Sequence, residues 1–363
     1  MDIIISHSSA FEYWRAHRNA KIPAAEKPRR KGLPTAIPDI AEVYERTPPG
    51  LSFPVNLMVD NPNARRQSRA VLSHVYSTPI PPWCFTRIGD GLYVSSPSFC
   101  FFQMAEELPF IKLIELGIEL CGTYSLPVKD EQGSGKSDSG SSGKSRSGSS
   151  GKSSGNGSKS NDSGSKSESE SFPDPKATDK TLYNCPPLTN TKELKAFATR
   201  MEGVNGYKNI CRALRFIADG SASPMETKVF LFLTLPYKLG GYGLPKPEMN
   251  RRVETGRAAT QKFGKAFYKC DFFWPEANLV VEYDSDSYHT GPKRIEDDSI
   301  KRFDLNALGI ETITLTRGQI QSASEFEKVA KLIAKRIGKR LCNKDPQFAK
   351  AQKELRRALT RMF

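Results

Sequence analysis

Cysteine pairs, histidine clusters and long apolar runs are all missing from this sequence. The seven cysteines (Cys84, Cys100, Cys121, Cys185, Cys211, Cys270 and Cys342) stand singly. None has a C-x-x-C partner and only four histidines accompany them, which excludes a Cys/His zinc module. The number is odd, and several lie in apolar runs such as Ser98-Phe99-Cys100-Phe101-Phe102. That reads as buried, reduced thiols in a cytosolic protein rather than a disulfide framework. No apolar run reaches the roughly 18 residues of a membrane span. Met1-Asp2-Ile3-Ile4-Ile5-Ser6-His7 lacks the basic start and apolar stretch of a secretion signal. These absences predict a cytoplasmic chain with no membrane contact.

What is present is enough apolar material and an excess of positive charge. At 363 residues and 37% hydrophobic, the chain can fill two ordinary cores. A formal net charge of +14 favours a polyanionic partner, of which nucleic acid is the commonest. From about Lys129 to Ser171 the composition is almost wholly Ser, Gly, Lys, Asp and Glu, which cannot bury a core and is expected to be a disordered linker. The Gly-Lys-Ser triplets there have no strand before them and no helix after them, so a phosphate loop is dismissed. The expected division is an α+β domain at 1–128, a linker at 129–172, a second domain at 173–345, and a basic helical tail at 346–363.

In the first part, 53–59 and 91–94 read as strands, and 97–120 as one or two helices with Phe101, Met104, Leu108, Ile111, Ile114 and Ile118 at helical spacing. Arg65-Arg66-Gln67-Ser68-Arg69 could touch phosphate, although a solvated face is the commoner meaning of such a run. His7, His17 and His74 have no partner in sequence that argues for ligation or catalysis. After the linker, a helix opens at Asn205-Gly206-Tyr207. Ser223-Pro224-Met225-Glu226 then carries a strong helix start, with Ser as N-cap, Pro in the first turn and Glu at the third position. Two strands follow, 267–273 and 279–284, joined by the turn Trp274-Pro275-Glu276-Ala277-Asn278. A helix over about 294–308 leads to a third strand at 310–315. That order predicts an α/β fold in which a mixed sheet is flanked by helices.

The two strands carry carboxylates that a sheet would not hold for stability. Asp271 interrupts one apolar run and Glu282 ends another, and both types are costly to bury unpaired. In a hairpin the two lie on neighbouring strands, and Glu282 and Asp284 share a face because side chains alternate. Converging carboxylates repel, and a hard divalent cation such as Mg²⁺ or Mn²⁺ relieves that repulsion. Such an ion can bind a phosphate oxygen and position water for in-line attack. Each residue also has a plainer reading. Glu226 can be the capping partner of Ser223, Asp284 and Asp286 can be turn residues, and His289 can be a loop histidine as well as a general acid or base.

Here the residues resemble a known family. Ser223-Pro224-Met225-Glu226, Tyr268-Lys269-Cys270-Asp271-Phe272-Phe273-Trp274-Pro275, Leu279-Val280-Val281-Glu282-Tyr283-Asp284, Tyr288-His289, Arg302, Leu305, Leu308-Gly309 and Arg317 together resemble the DUF559 family. That family is similar to the very-short-patch repair endonucleases of the PD-(D/E)XK superfamily, and the likeness covers under a third of the chain. It implies a restriction-endonuclease-like fold for the second domain and a metal-dependent DNA endonuclease, in repair or phage defence. Asp271 would be the central metal ligand, Glu282 the acidic residue of the (D/E)XK element, and Glu226 the helix carboxylate facing them. Asp284 falls where the superfamily has its lysine and the repair enzymes a metal-site histidine. His289 matches their second histidine, and Arg302 would steady a phosphate. No lysine follows Glu282 at the family offset, and Ser285 stands where the family usually has Gly. The first part, through Leu92-Tyr93-Val94-Ser95-Ser96-Pro97 and the helix after it, resembles the regulatory region of AbiEi-type antitoxins.

The C-terminal segment adds Lys350, Lys353, Arg356, Arg357 and Arg361 on an amphipathic pattern. It can clamp phosphates, or it can be a last helix whose apolar side closes the core. The leading expectation is thus a Mg²⁺-dependent (or Mn²⁺-dependent) endonuclease acting on DNA, with Lys353, Arg356 and Arg357 on nucleic acid. The alternatives are a non-catalytic, antitoxin-like DNA-binding regulator and a protein-interaction module. A dimer or a toxin partner stays open.

Overall fold

In the computed structural model the described residues are 1–20, 33–76, 80–81, 83–127, 180–256, 260–261, 264–284, 292–341 and 346–360. Five short strands open the chain: β1 (Ile3–Ile5), β2 (Val55–Val59), β3 (Val71–Val75), β4 (Phe85–Gly89) and β5 (Leu92–Ser95). They form one mixed sheet in the order β3-β2-β1-β5-β4. The all-Ile β1 lies at its centre, antiparallel to β2 and parallel to β5. A central strand covered on both faces has no polar alternation, which is why β1 and β2 are buried along their whole length. Helices α1 (His7–Ala16), α2 (Ile40–Arg46), α3 (Pro97–Gln103) and α4 (Phe110–Cys121) accompany the sheet. Ser96 caps α3 by accepting from the Phe99 amide, with Pro97 in the first turn. The expected run over 97–120 is therefore two helices, broken around Pro109.

A two-residue pair, β6 (Tyr124–Ser125) with β7 (Leu182–Tyr183), leads to α5 (Thr191–Arg200), α6 (Tyr207–Ala213) and α7 (Pro224–Thr234). Then come β8 (Glu248–Glu254), β9 (Phe267–Trp274), β10 (Leu279–Asp284), α8 (Pro292–Ala307) and β11 (Glu311–Thr316). Helices α9 (Arg317–Gln321), α10 (Ala323–Arg336) and α11 (Pro346–Thr360) close the described chain. The second sheet has the order β11-β10-β9-β8, with β10 antiparallel to β9 and parallel to β11 across α8. The hairpin turn is a 3-10 turn at Pro275–Ala277 that ends on Asn278 in the left-handed region. The fold is mixed α/β, as the sequence predicts. Strand β8 is additional: its Glu-Met-Asn-Arg-Arg-Val-Glu composition is that of an exposed edge, so it lacks the apolar signature that marks β9 and β10.

The large hydrophobic cluster runs from Ile3 through Phe99, Ile114, Phe230, Phe272 and Val281 to Phe326 and Leu359. Helix α3 packs on α5, and α4 packs on α6, α7 and α11. The stretches on either side of residues 128–179, expected to fold separately, therefore share one core cluster. A smaller cluster (Tyr268, Cys270, Val280, Leu305 and Ile310) fills the space between the second sheet and α8. Helix α11 is part of the main core: Phe348, Leu355 and Leu359 are buried. A Cβ on Gly240, whose φ is +84°, would collide with the Ala351 carbonyl, so glycine is what lets this helix seat. Six cysteines are described as free thiols, five of them buried. Among the described residues no helix is long and apolar enough to cross a membrane.

Candidate active site

Three buried residues, Leu279, Val280 and Val281, anchor β10 between its neighbours. Its antiparallel register with β9 runs Leu279↔Trp274, Val280↔Phe273 and Val281↔Phe272. One step further, Asp271 takes over from the backbone ladder, and its Oδ2 accepts the Tyr283 amide at 2.9 Å. This places Asp271 beside Glu282 at the end of the hairpin. On the other flank β11 holds Glu282 opposite Thr314 and Asp284 opposite Thr316. Together with Thr312 and Thr314, Asp271, Glu282, Asp284, Asp298, Lys301 and Arg302 line a cleft of about 230 Å³. Asp284 does not complete with Asp271 and Glu282 a described trio of ligand atoms within 4.8 Å of one another.

A cation from α8 enters the cleft. Lys301 Nζ lies 2.8 Å from Glu282 Oε2 and donates to the Lys269 carbonyl at 2.6 Å. Leu305 is fully buried, so residues four and seven positions earlier on the helix, Lys301 and Asp298, share its inward face. Among the described residues the other carboxylate oxygen, Glu282 Oε1, is buried without a hydrogen-bond partner that meets ordinary geometry, although the weak Cys270 thiol interacts with the Glu282 side chain. A buried anionic oxygen left in this condition is costly, and it is what a divalent cation would satisfy. The donors Asp271 and Glu282 therefore fit a hard metal ion.

Glu226 stands at the N-terminal turn of α7 and is 7% exposed. Ser223 Oγ accepts from its amide at 3.1 Å, which is half of the expected capping box. Among the described residues the carboxylate makes no return bond to the Ser223 backbone amide, though it interacts with the Ser223 side chain. Its Oε2 accepts the Ala222 amide at 2.9 Å and the Asn250 side-chain amide. Asn250 sits in β8 at φ +50°, framed by the pairs Met249↔Phe272 and Arg251↔Cys270, and hence opposite Asp271. Glu226 thus reaches the back of the same acidic group.

The electrostatics are those of crowded anions. Burial first, and then the Asp271 charge, push the Glu282 carboxyl up to about 7. The same two causes in the same order bring Glu226 to about 7. Asp271 is itself raised, again mainly by burial. Burial works against the Lys301 ammonium, but Glu282 and the other nearby anions outweigh it and hold the lysine above its ordinary value.

The remaining predicted residues are placed as follows. Arg302 lines the cleft, its Nε donating to the Asp298 carbonyl at 3.4 Å. His289 and Asp286 lie outside the described residues. Lys353 and Arg357 are exposed on α11. Arg356, expected on nucleic acid, faces inward instead. Its Nη1 donates to the Ile320 carbonyl at 2.7 Å and its guanidinium lies 4.7 Å from the Phe232 ring centre. The apolar side of α11 is the side that packs, and Arg356 borders it. Sequence reasoning passed over Lys301, Asp298 and Asn250; the helical offset from Leu305 was the available signal for the first two.

No protein-family model matches the chain, and no solved structure matches it. Two sequences described as "Uncharacterized protein", from two strains of Mycobacterium tuberculosis, are each 31% identical over 99 residues. That stretch is 27% of this chain and 32% of each relative, so the chain matches about a third of their length.

Proposed function

We propose that the chain is a divalent-metal-dependent DNA endonuclease hydrolysing phosphodiester bonds, with the second sheet and its helices as a restriction-endonuclease-like unit. The observation that carries this reading is the buried Asp271–Glu282 pair, with an unsatisfied Glu282 oxygen and a lysine at its side. Asp271 and Glu282 would hold the ion, which when bound supplies charge neutralisation and an acidified water. Lys301 takes the part of the lysine missing after Glu282. It faces the cleft as a cation, where it can meet a phosphate oxygen and the charge that develops on it. Arg302 adds a second phosphate contact. Glu226, whose carboxyl is pushed up to about 7 beside Asp271, can take up or release a proton around pH 7.

The test uses the full chain on supercoiled plasmid with Mg²⁺ or Mn²⁺. Cutting is expected with wild type and is lost in Asp271→Ala and in Glu282→Ala. Activity that survives both substitutions removes the assignment. One observation favours a second reading: the ion pair to Lys301 already compensates Glu282, as it would in a domain that binds DNA without cutting it. A gel shift indifferent to chelator, with no cleavage under any metal, selects that regulator-like role.

A further inference from the structure

The N-terminal part holds a second constellation, remote in sequence from the acidic pair. His7 opens α1, His74 lies in β3, and Glu107 follows α3 in a turn. One ligand atom from each falls within 4.8 Å of the others. His7 and His74 border a cleft of about 420 Å³ that also takes in Arg65, Tyr76, Gln103 and Glu106. We propose that His7, His74 and Glu107 form a binding site for a first-row divalent cation of the Zn²⁺ type, with an open position toward this cleft.

The hydrogen bonds around the rings decide which nitrogens are available. The Ser6 hydroxyl donates to the Asn56 carbonyl at 3.4 Å, so its oxygen accepts from His7 Nδ1 at 3.0 Å. The lone pair of His7 is then on Nε2, the atom 4.0 Å from Glu107 Oε1. On the other ring, the Asn56 amide nitrogen donates to Ser8 Oγ at 2.8 Å and Ser9 Oγ at 3.1 Å. Its oxygen therefore accepts from His74 Nε2 at 2.7 Å, which leaves the lone pair on His74 Nδ1. An outer hydrogen bond that fixes the tautomer, and so the nitrogen left with a lone pair, is the usual support of a metal-binding imidazole. Burial also disfavours the imidazolium form at both rings.

Two further features fit. His7 has φ +50° and is held there by its amide donating to Gln103 Oε1 at 3.1 Å. A non-glycine residue kept in that region is mildly strained and is found where a side chain must be aimed. Two imidazoles and a carboxylate, open on the fourth side, are a donor set for Zn²⁺ and its neighbours rather than for Mg²⁺. The rings are stacked, with centres 3.6 Å apart and planes 17° from parallel. A metal–nitrogen bond lies in the plane of its ring, so binding must turn the rings out of this stack.

The probe is Zn²⁺ or Co²⁺ added to the full chain carrying Asp271→Ala and Glu282→Ala, which takes the acidic pair out of the measurement. Calorimetry is expected to show saturable binding of a single ion, and Co²⁺ to develop visible absorption. His74→Ala and Glu107→Gln should each weaken binding at least about tenfold, in the range of lost metal-site interactions. Glu107 borders solvent, so its substitution tests the site even if His74→Ala does not fold. No saturable binding, or an affinity unchanged in Glu107→Gln, overturns the proposal.

Discussion

Replacing Asp271 by asparagine should stabilise the fold at pH 8 while abolishing any cleavage. Asparagine keeps an oxygen for the Tyr283 amide, which Asp271 Oδ2 now accepts at 2.9 Å, but removes the charge felt by both Glu226 and Glu282. A carboxyl raised from 4.5 to about 7 has lost roughly 3 kcal/mol in its ionised form. Burial is the larger cause and Asp271 the second, so the Asp271 share is on the order of 1 kcal/mol for each neighbour. Loss of its attraction to Lys301 and Lys269 offsets part of this, leaving a net gain of about 1–2 kcal/mol. The sign with pH follows from where the protons are. With folded values raised above unfolded ones, Glu226 and Glu282 bind more protons in the native state between about 4.5 and 7. Their burial therefore costs nothing below that window, costs progressively more across it, and costs most above pH 7. Urea melts of wild type and Asp271→Asn at pH 8 and pH 5 measure the difference. A larger gain at pH 8 than at pH 5 is expected, because at pH 5 the two neighbours are largely protonated and feel little of the Asp271 charge. A variant less stable than wild type at pH 8, or a gain no larger there than at pH 5, refutes the crowding argument.

Other substitutions probe separate parts. Lys301→Met leaves Glu282 buried beside Asp271 with no cation, and should cost about 2–3 kcal/mol at pH 8 but less at pH 5, where Glu282 is protonated; paired urea melts distinguish the two. Gly240→Ala puts a Cβ into the Ala351 carbonyl at a positive φ and should cost about 2–4 kcal/mol, with α11 becoming the first site of limited proteolysis. Arg356→Ala loses the hydrogen bond to Ile320 and the cover of Phe232, for about 1–2 kcal/mol. Exposed Lys353→Ala should stay within about 0.5 kcal/mol of wild type and instead lower the salt dependence of DNA binding. Thermal melts and salt-titrated gel shifts separate these outcomes.

What the sequence made legible was local. Ser223-Pro224-Met225-Glu226 announces a helix start because capping is settled within four residues, and α7 begins there. Strands β9 and β10 stand out because apolar alternation and apolar runs report burial directly. Their carboxylates stand out for the same reason, as polar groups where apolar ones are cheaper. Strand β8 is invisible by that rule, since an edge strand can be polar throughout. The shared core was equally hidden, because a Ser/Gly-rich segment marks a gap in sequence and says nothing about whether the flanking helices meet. The pairing of α4 with α6, α7 and α11 is a fact of three dimensions alone. His7 and His74 had no mutual signal either; 67 positions apart, they become neighbours only through the β1–β2–β3 ladder.

The lysine carries the same lesson into the site. A search at a fixed offset from Glu282 finds Asp284, and the motif reads as broken. Electrostatics has no such offset: an ammonium stabilises a carboxylate or a phosphate by distance and burial, whichever element delivers it. Lys301 arrives from α8 because Leu305, one turn later, is drawn into the small cluster between helix and sheet. Packing of that leucine therefore sets the position of the charge. Trimming it to Ala should loosen the Glu282–Lys301 pair even though Leu305 has no polar atom to touch either partner. An acidic pair readable in the strands and a cation readable only from helix packing are then parts of one device, and a motif search that follows the chain sees half of it.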